Sequence, residues 1–409
     1  SYRRYKALSQ FSLSATTGAG KTVMAAAVIE SLFFGNDEFD VAGDPGAVVL
    51  WFSDDPALNE QSRARIQAAA SELDHRLRVV PTTFSEPTFQ PGNEYFLNTQ
   101  KLSKNSRLVK GAPEASGDDT LPGLEYRPDE AQSSIYDTIT NTIANEDLTL
   151  YLVLDEAHRG MGTRAHERST IVQRLINGQG RVPAMPVVFG ISATVERFET
   201  AMKEAKGRDA LPSVQVDSAL VQASGLLKDD IVLSIPAEDG AFETVLLTKA
   251  VKKIKVSESA WQDYAREQGE SETVRPLLVV QVGDKPSRET LTRTLDTIYE
   301  AWPELPYGAV ANVFGEHTDL TIGQQVVPYI EPQRVQDATH VRVLLAKSAI
   351  STGWDCPRAE VLVSFRPAKD RTHITQLLGR MMRTPLARRR GVLTRTRPAA
   401  PCPLWRWQP

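Results

Sequence analysis

Short apolar runs bounded by turn residues recur along the chain, separated by stretches with helical character. Phe11 to Ser14, Ala47 to Phe52, Leu148 to Leu154 and Pro186 to Ile191 are too short for helices and predict strands. Thr22 to Phe33 is Ala-rich and apolar and predicts a helix. Strands alternating with helices imply a mostly parallel sheet covered on both faces. Lys104 to Pro128 is polar and rich in Gly, Pro, Asp and Ser, which predicts a long loop or insertion. After Thr194 the rhythm weakens. Charged helical segments (Glu196 to Lys206, Lys249 to Gly269) interleave with apolar runs such as Asp230 to Ile235. A second α/β unit opens near Arg275, with strands expected over Pro276 to Val282, Tyr307 to Val313, Val341 to Ala346 and Val361 to Phe365. No repeat at a solenoid period is present. The expected divisions are residues 1–200, a connector over 201–270, a second domain over 271–385 and a basic Pro/Arg-rich tail over 386–409.

Composition narrows the class. The 409 residues are 41% hydrophobic and 24% charged, which excludes global disorder and leaves ample material for a core. Two cysteines, Cys356 and Cys402, exclude a disulfide framework or a Cys-rich zinc module and fit a reducing, cytoplasmic setting. No apolar run reaches about 18 residues, so no membrane span or membrane partner is expected. The histidines show no ligand-like spacing. The net charge of -4 conceals an asymmetry: no acid follows Asp370, and the later residues carry nine arginines. An acidic body with a basic end does not exclude nucleic acid, because only a local positive track is needed.

The chemistry-bearing stretches are five. Ala15-Thr16-Thr17-Gly18-Ala19-Gly20-Lys21-Thr22 lies between a predicted strand and a predicted helix. A tight Gly-containing loop there can encircle phosphate with backbone N–H groups, Lys21 can reach β/γ oxygens and Thr22 can ligate Mg²⁺. Ala15 holds a slot where the strict pattern has Gly. Tyr151-Leu152-Val153-Leu154-Asp155-Glu156-Ala157-His158 is an apolar strand ending in two acids, suited to hold Mg²⁺ (Asp155) and to orient and deprotonate a water (Glu156). Gly190-Ile191-Ser192-Ala193-Thr194 places small hydroxyls at another strand end. In the second unit stand Ser351 to Pro357 and Gln376 to Arg383. On a helix, Gln376, Arg380 and Arg383 share one face.

These five in this order resemble the superfamily 2 helicases and translocases of the DEAD/DEAH-box group. More narrowly, Gly353-Trp354-Asp355-Cys356-Pro357 and Ser224-Gly225-Leu226-Leu227-Lys228-Asp229 resemble the motor (Res) subunit of type III restriction enzymes and its stand-alone bacterial relatives. The resemblance implies an α/β fold of two RecA-like P-loop domains joined by a mixed connector, with ATP and Mg²⁺ in the cleft. It implies ATP contacts by Thr17, Gly18, Ala19, Gly20, Lys21, Thr22, Gly353 and Asp355, and Mg²⁺ held by Thr22 and Asp155. Glu156, Gln376, Arg380 and Arg383 would be catalytic, with Arg383 the first choice of arginine finger. His158, Ser192 and Thr194 would couple the site to nucleic acid, which Ser53, Thr99 and Gln100 would contact. DNA is the expected substrate, in a restriction or defence setting with a modification or nuclease subunit as partner. RNA unwinding and a nucleotide-gated binding module are the alternatives. The chain begins at Ser1 only some fifteen residues before the loop, and is expected to be a fragment without nuclease activity. Glu204-Ala205-Lys206 lacks the strand and aspartate a nuclease would need.

Overall fold

The computed structural model describes residues 6–53, 56–103, 106–110, 133–155, 166–178, 182–193, 198, 202, 205, 207–232, 243–347, 354–365 and 381–387. The first part of the chain forms β1 (Leu8–Ser14), α1 (Lys21–Phe34), β2 (Ala47–Ser53), α2 (Pro56–Ala69), β3 (Leu77–Val79), β4 (Glu94–Asn98), α3 (Ile135–Ala144), β5 (Thr149–Asp155), α4 (His166–Asn177), β6 (Val187–Ser192), β7 (Arg208–Ala210) and β8 (Val214–Gln215). One sheet takes all eight strands in the order β3-β4-β2-β5-β6-β1, with β7 and β8 both on the far edge of β1 and every pairing parallel.

The apolar runs are unbroken because both faces of this sheet are covered. Along β2, Val48, Leu50 and Phe52 face a layer with Ile135 and Ile139 of α3 and Leu175 of α4. Ala47, Val49 and Trp51 face Ala25, Ile29 and Phe33 of α1 and Ile66 of α2. Gly190 has a packing reason: a Cβ there would stand 2.3 Å from the Phe198 ring.

The second part comprises α5 (Ser218–Ala223), α6 (Glu243–Gln268), β9 (Leu277–Gln281), α7 (Arg288–Ala301), β10 (Val310–Asn312), β11 (Leu320–Ile322), β12 (Gln325–Val327), β13 (Val343–Ala346) and β14 (Ala359–Ser364). Its parallel sheet runs β10-β13-β9-β14, while β11 and β12 form a separate antiparallel hairpin. Helices α6 and α7 bury Leu247, Val251, Ile254, Leu295 and Ile298 against Leu278, Val280, Val343 and Leu345.

The eight strands read from apolar runs are all present, with ends shifted by a few residues. Strand β4 was not readable: Glu94-Tyr95-Phe96-Leu97-Asn98 opens on an acid and closes on an amide, yet every residue is buried. The stretch 201–270 does not behave as one connector. Residues 208–215 lie on the first sheet's edge and α6 belongs to the second core. Most of the expected 104–128 loop, the expected helix over 196–206 and the 388–409 part of the tail lie outside the described residues.

Candidate nucleotide site

Strand β1 delivers the chain to the loop at Ser14, which stands in register with Ser192 of β6, and the Ala15 amide donates to Ser192 O (3.3 Å). Gly18 and Gly20 take φ of +89° and +88°, a conformation that glycine adopts without strain. Helix α1 then starts at Lys21 with Gly20 as its N-cap. No side chain caps it and no acid sits in its first turn. Gly20, having no side chain, puts no capping acceptor of its own over the first N–H groups, the arrangement that binds phosphate. A Cβ on Gly20 would meet nothing within 4 Å, so the approach over the loop is open. Lys21 Nζ donates to Ala15 O (3.0 Å) and Thr16 O (3.5 Å), curled over the loop it would serve. Ala15 replaces the usual Gly for a local reason: its methyl group is buried in a small cluster with Ala19, Val221 and Leu227. A cavity of about 530 Å³ opens beside the loop, lined by Ser14, Thr16, Thr17, Ala193, Gln215 and Asp217 among others.

Asp155 stands at the C-terminal end of β5, and Ser62 Oγ of α2 donates to its Oδ2 (3.0 Å). One turn further along α2, Arg65 Nη2 donates to Asp355 Oδ2 of the second domain (2.8 Å). The same carboxylate oxygen accepts from Arg383 Nη1 (2.7 Å), and Arg383 Nε donates across the domains to Gly18 O (2.9 Å). Burial lowers the Arg65 pKa and Arg383 adds to that, while Asp355 and Asp155 oppose it. Cys356, next to Asp355, is buried and its thiol is pushed up to about 11, so it is a packing residue and not a nucleophile.

Gly18, Lys21, Asp155, Asp355 and Arg383 are thus drawn around one interdomain site, and Thr17 and Thr22 lie on the same loop and helix start. Ser192 is buried at the end of β6. Ser53 and Thr99 are also buried, and Ser53 Oγ donates to Asn59 Oδ1 (2.6 Å), while Gln100 is exposed. Glu156, His158, Thr194, Gly353, Gln376 and Arg380 lie outside the described residues. Ser62 and Arg65 were missed. Their one available signal was i,i+3 spacing on the helix that follows β2, which many solvated helices share. Among the described residues there is no cluster of three or more His, Cys, Asp or Glu side chains fit for a metal, and no helix long and apolar enough to cross a membrane.

Two parallel sheets, with an arginine of the second α/β unit donating to the phosphate loop of the first, define a two-unit α/β fold of the P-loop kind. Residues 4–197 match the family described as type III restriction enzyme, res subunit. No curated protein matches the sequence. Among solved structures, the DUF1998 helicase MrfA bound to DNA and AMPPNP is similar at 14% identity and TM-score 0.51, over 93% of this chain and 45% of that one. Dbp5 of S. cerevisiae bound to RNA and ADP BeF3 is similar at 12% identity and TM-score 0.46, over 91% of this chain and 75% of that one. Mycobacterium smegmatis helicase Lhr bound to ssDNA and AMP-PNP gives 15% and 0.48, over 92% and 42%.

Proposed function

We propose that the chain is the motor of an ATP-dependent DNA translocase or helicase of a bacterial restriction or defence type, working in the cytoplasm with a modification or nuclease subunit. The observation that carries this reading is the Arg383 guanidinium, donated from the second domain to the Gly18 carbonyl of the phosphate loop. An arginine delivered from a second domain lets domain closure and phosphoryl transfer depend on each other.

MgATP would supply a phosphoanhydride whose hydrolysis drives closure and reopening of the cleft. The α1 amides and Lys21 would hold its phosphates, and Thr22 and Asp155 are the residues suited to the cation, which needs few protein ligands when phosphates supply the others. Ser62 orients the Asp155 carboxylate by its 3.0 Å hydrogen bond. Glu156 is assigned the water-activating role, and Gln376, Arg380 and Arg383 the γ-phosphate contacts. His158, Ser192 and Thr194 carry the change to the nucleic-acid track. DNA is favoured over RNA by the restriction-enzyme match of the first domain.

Phosphate release should be measured without nucleic acid and with single-stranded DNA, duplex DNA and RNA. DNA should raise the rate more than RNA does. Lys21→Ala should lower turnover by about 10²-fold or more with the circular dichroism spectrum unchanged. Unchanged turnover in that variant sinks the site assignment, and stimulation by RNA alone sinks the choice of DNA.

A further inference from the structure

The segment 224–229 supplies no chemistry of its own, yet it touches each half of the site. Leu227 packs with Ala15 and Ala19 of the phosphate loop. It comes so close that a Cβ on Gly18 would stand 2.9 Å from Leu227 Cδ2. On its other side the backbone runs antiparallel to the chain around Arg383. The Lys228 amide donates to Met382 O (2.6 Å), the Thr384 amide to Leu226 O (3.0 Å) and Thr384 Oγ1 to Gly225 O (2.5 Å), with Leu227 and Arg383 forming a bridge pair.

The Lys228 side chain ties this ladder to a second element. Its ammonium donates to Met381 O (2.7 Å), Ala359 O (2.9 Å) and Pro357 O (3.1 Å). All three N–H donors of the group are used, and all are charge-assisted bonds to backbone carbonyls. Pro357 and Ala359 follow Asp355 closely, and Met381 precedes Arg383 by two residues. One side chain therefore holds both second-domain groups, Asp355 and Arg383, to the segment that abuts the phosphate loop. An apolar side chain would fill the space at lower desolvation cost, but it would fix no carbonyl.

We propose that Lys228 is a positioning residue for ATP turnover, clamping the Asp355 turn and the chain around Arg383 to the 224–229 segment so that Arg383 is presented to the phosphate loop as part of one rigid unit. This rests on the ATPase reading above.

The test compares Lys228→Met, which keeps length and removes the donors, with Lys228→Arg, which keeps the charge. Lys228→Met should lower kcat about 10-fold or more while the affinity for a fluorescent ATP analogue changes less than about threefold, and Lys228→Arg should restore part of the rate. Added to Arg383→Ala, Lys228→Met should cost little more than Arg383→Ala alone, because both act through one group. A second readout needs no turnover. Amide hydrogen exchange of residues 381–384 without nucleotide should speed up about 10-fold or more in Lys228→Met. If the methionine variant does not fold, Lys228→Gln carries the same measurements. A folded variant with kcat within about twofold of the parent, full additivity with Arg383→Ala, or unchanged exchange at 381–384 each overturns the proposal. A parent protein that turns over no ATP removes the functional reading instead, and the exchange measurement still decides the clamp.

Discussion

In the first domain Ser14, Ser192 and Asp155 stand at the ends of adjacent strands, and the register of β1, β6 and β5 sets their relative heights. In the second domain Asp355 and Arg383 stand off the strands. There Lys228 donates to three carbonyls, and Arg358 donates to those of Arg275, Val335, Gln336, Ala338 and Val341. A sheet ladder averages many equivalent bonds, so losing one contact moves little. A loop held by one buried cation moves when that cation is lost. The first half behaves as a fixed seat and the second as a part whose placement a few side chains decide.

The sharpest break of this comparison is Arg383→Ala. We expect kcat to fall about 10³-fold, the lower end of what a finger arginine supplies, with the ATP analogue still bound. A loss under about tenfold would place the transferring charge elsewhere on the second domain. Next is Glu94, at the foot of β4, which is buried with neither carboxylate oxygen bonded and which burial pushes up to about 8. Its unfolded value lies near 4.5, so between the two values the folded state holds more proton than the unfolded one. Stability should therefore fall as pH rises through that window, by at most ~1.4 kcal/mol per pH unit, and level off above it. Urea melts of Glu94→Gln at pH 5.5 and 7.5 should show a flatter dependence than the parent. Equal slopes would mean that the carboxylate is hydrated after all. The smallest effect expected is from Arg65→Ala, about fivefold in kcat, corresponding to ~1 kcal/mol for a partly solvated pair. A loss as large as that of Arg383→Ala would make Arg65 a direct nucleotide contact.

How much could be read in advance follows the same division. The phosphate loop and Asp155 were legible because a strand end, a glycine pair and a helix start leave a local pattern in consecutive residues. The contacts Arg65–Asp355, Arg383–Gly18 and Lys228–Met381 join positions 290, 365 and 153 apart, and no periodicity in the chain encodes them. Asp355 and Arg383 were singled out through family likeness, not through any spacing that would have paired them. Ser53 and Thr99 were named as nucleic-acid contacts through the same likeness; in the fold both are buried, and Ser53 Oγ donates to Asn59 Oδ1.

Strands β7 and β8 carry a further consequence for handling the protein. They cover the side of β1 that β6 does not, so the strand leading into the phosphate loop is no longer the rim of its sheet. Cutting the chain at residue 200 would leave Leu8 to Ser14 with a row of bare amides and carbonyls, a template for self-association. The natural limit of an isolated first lobe therefore falls after Gln215, past the point where the strand–helix rhythm fades.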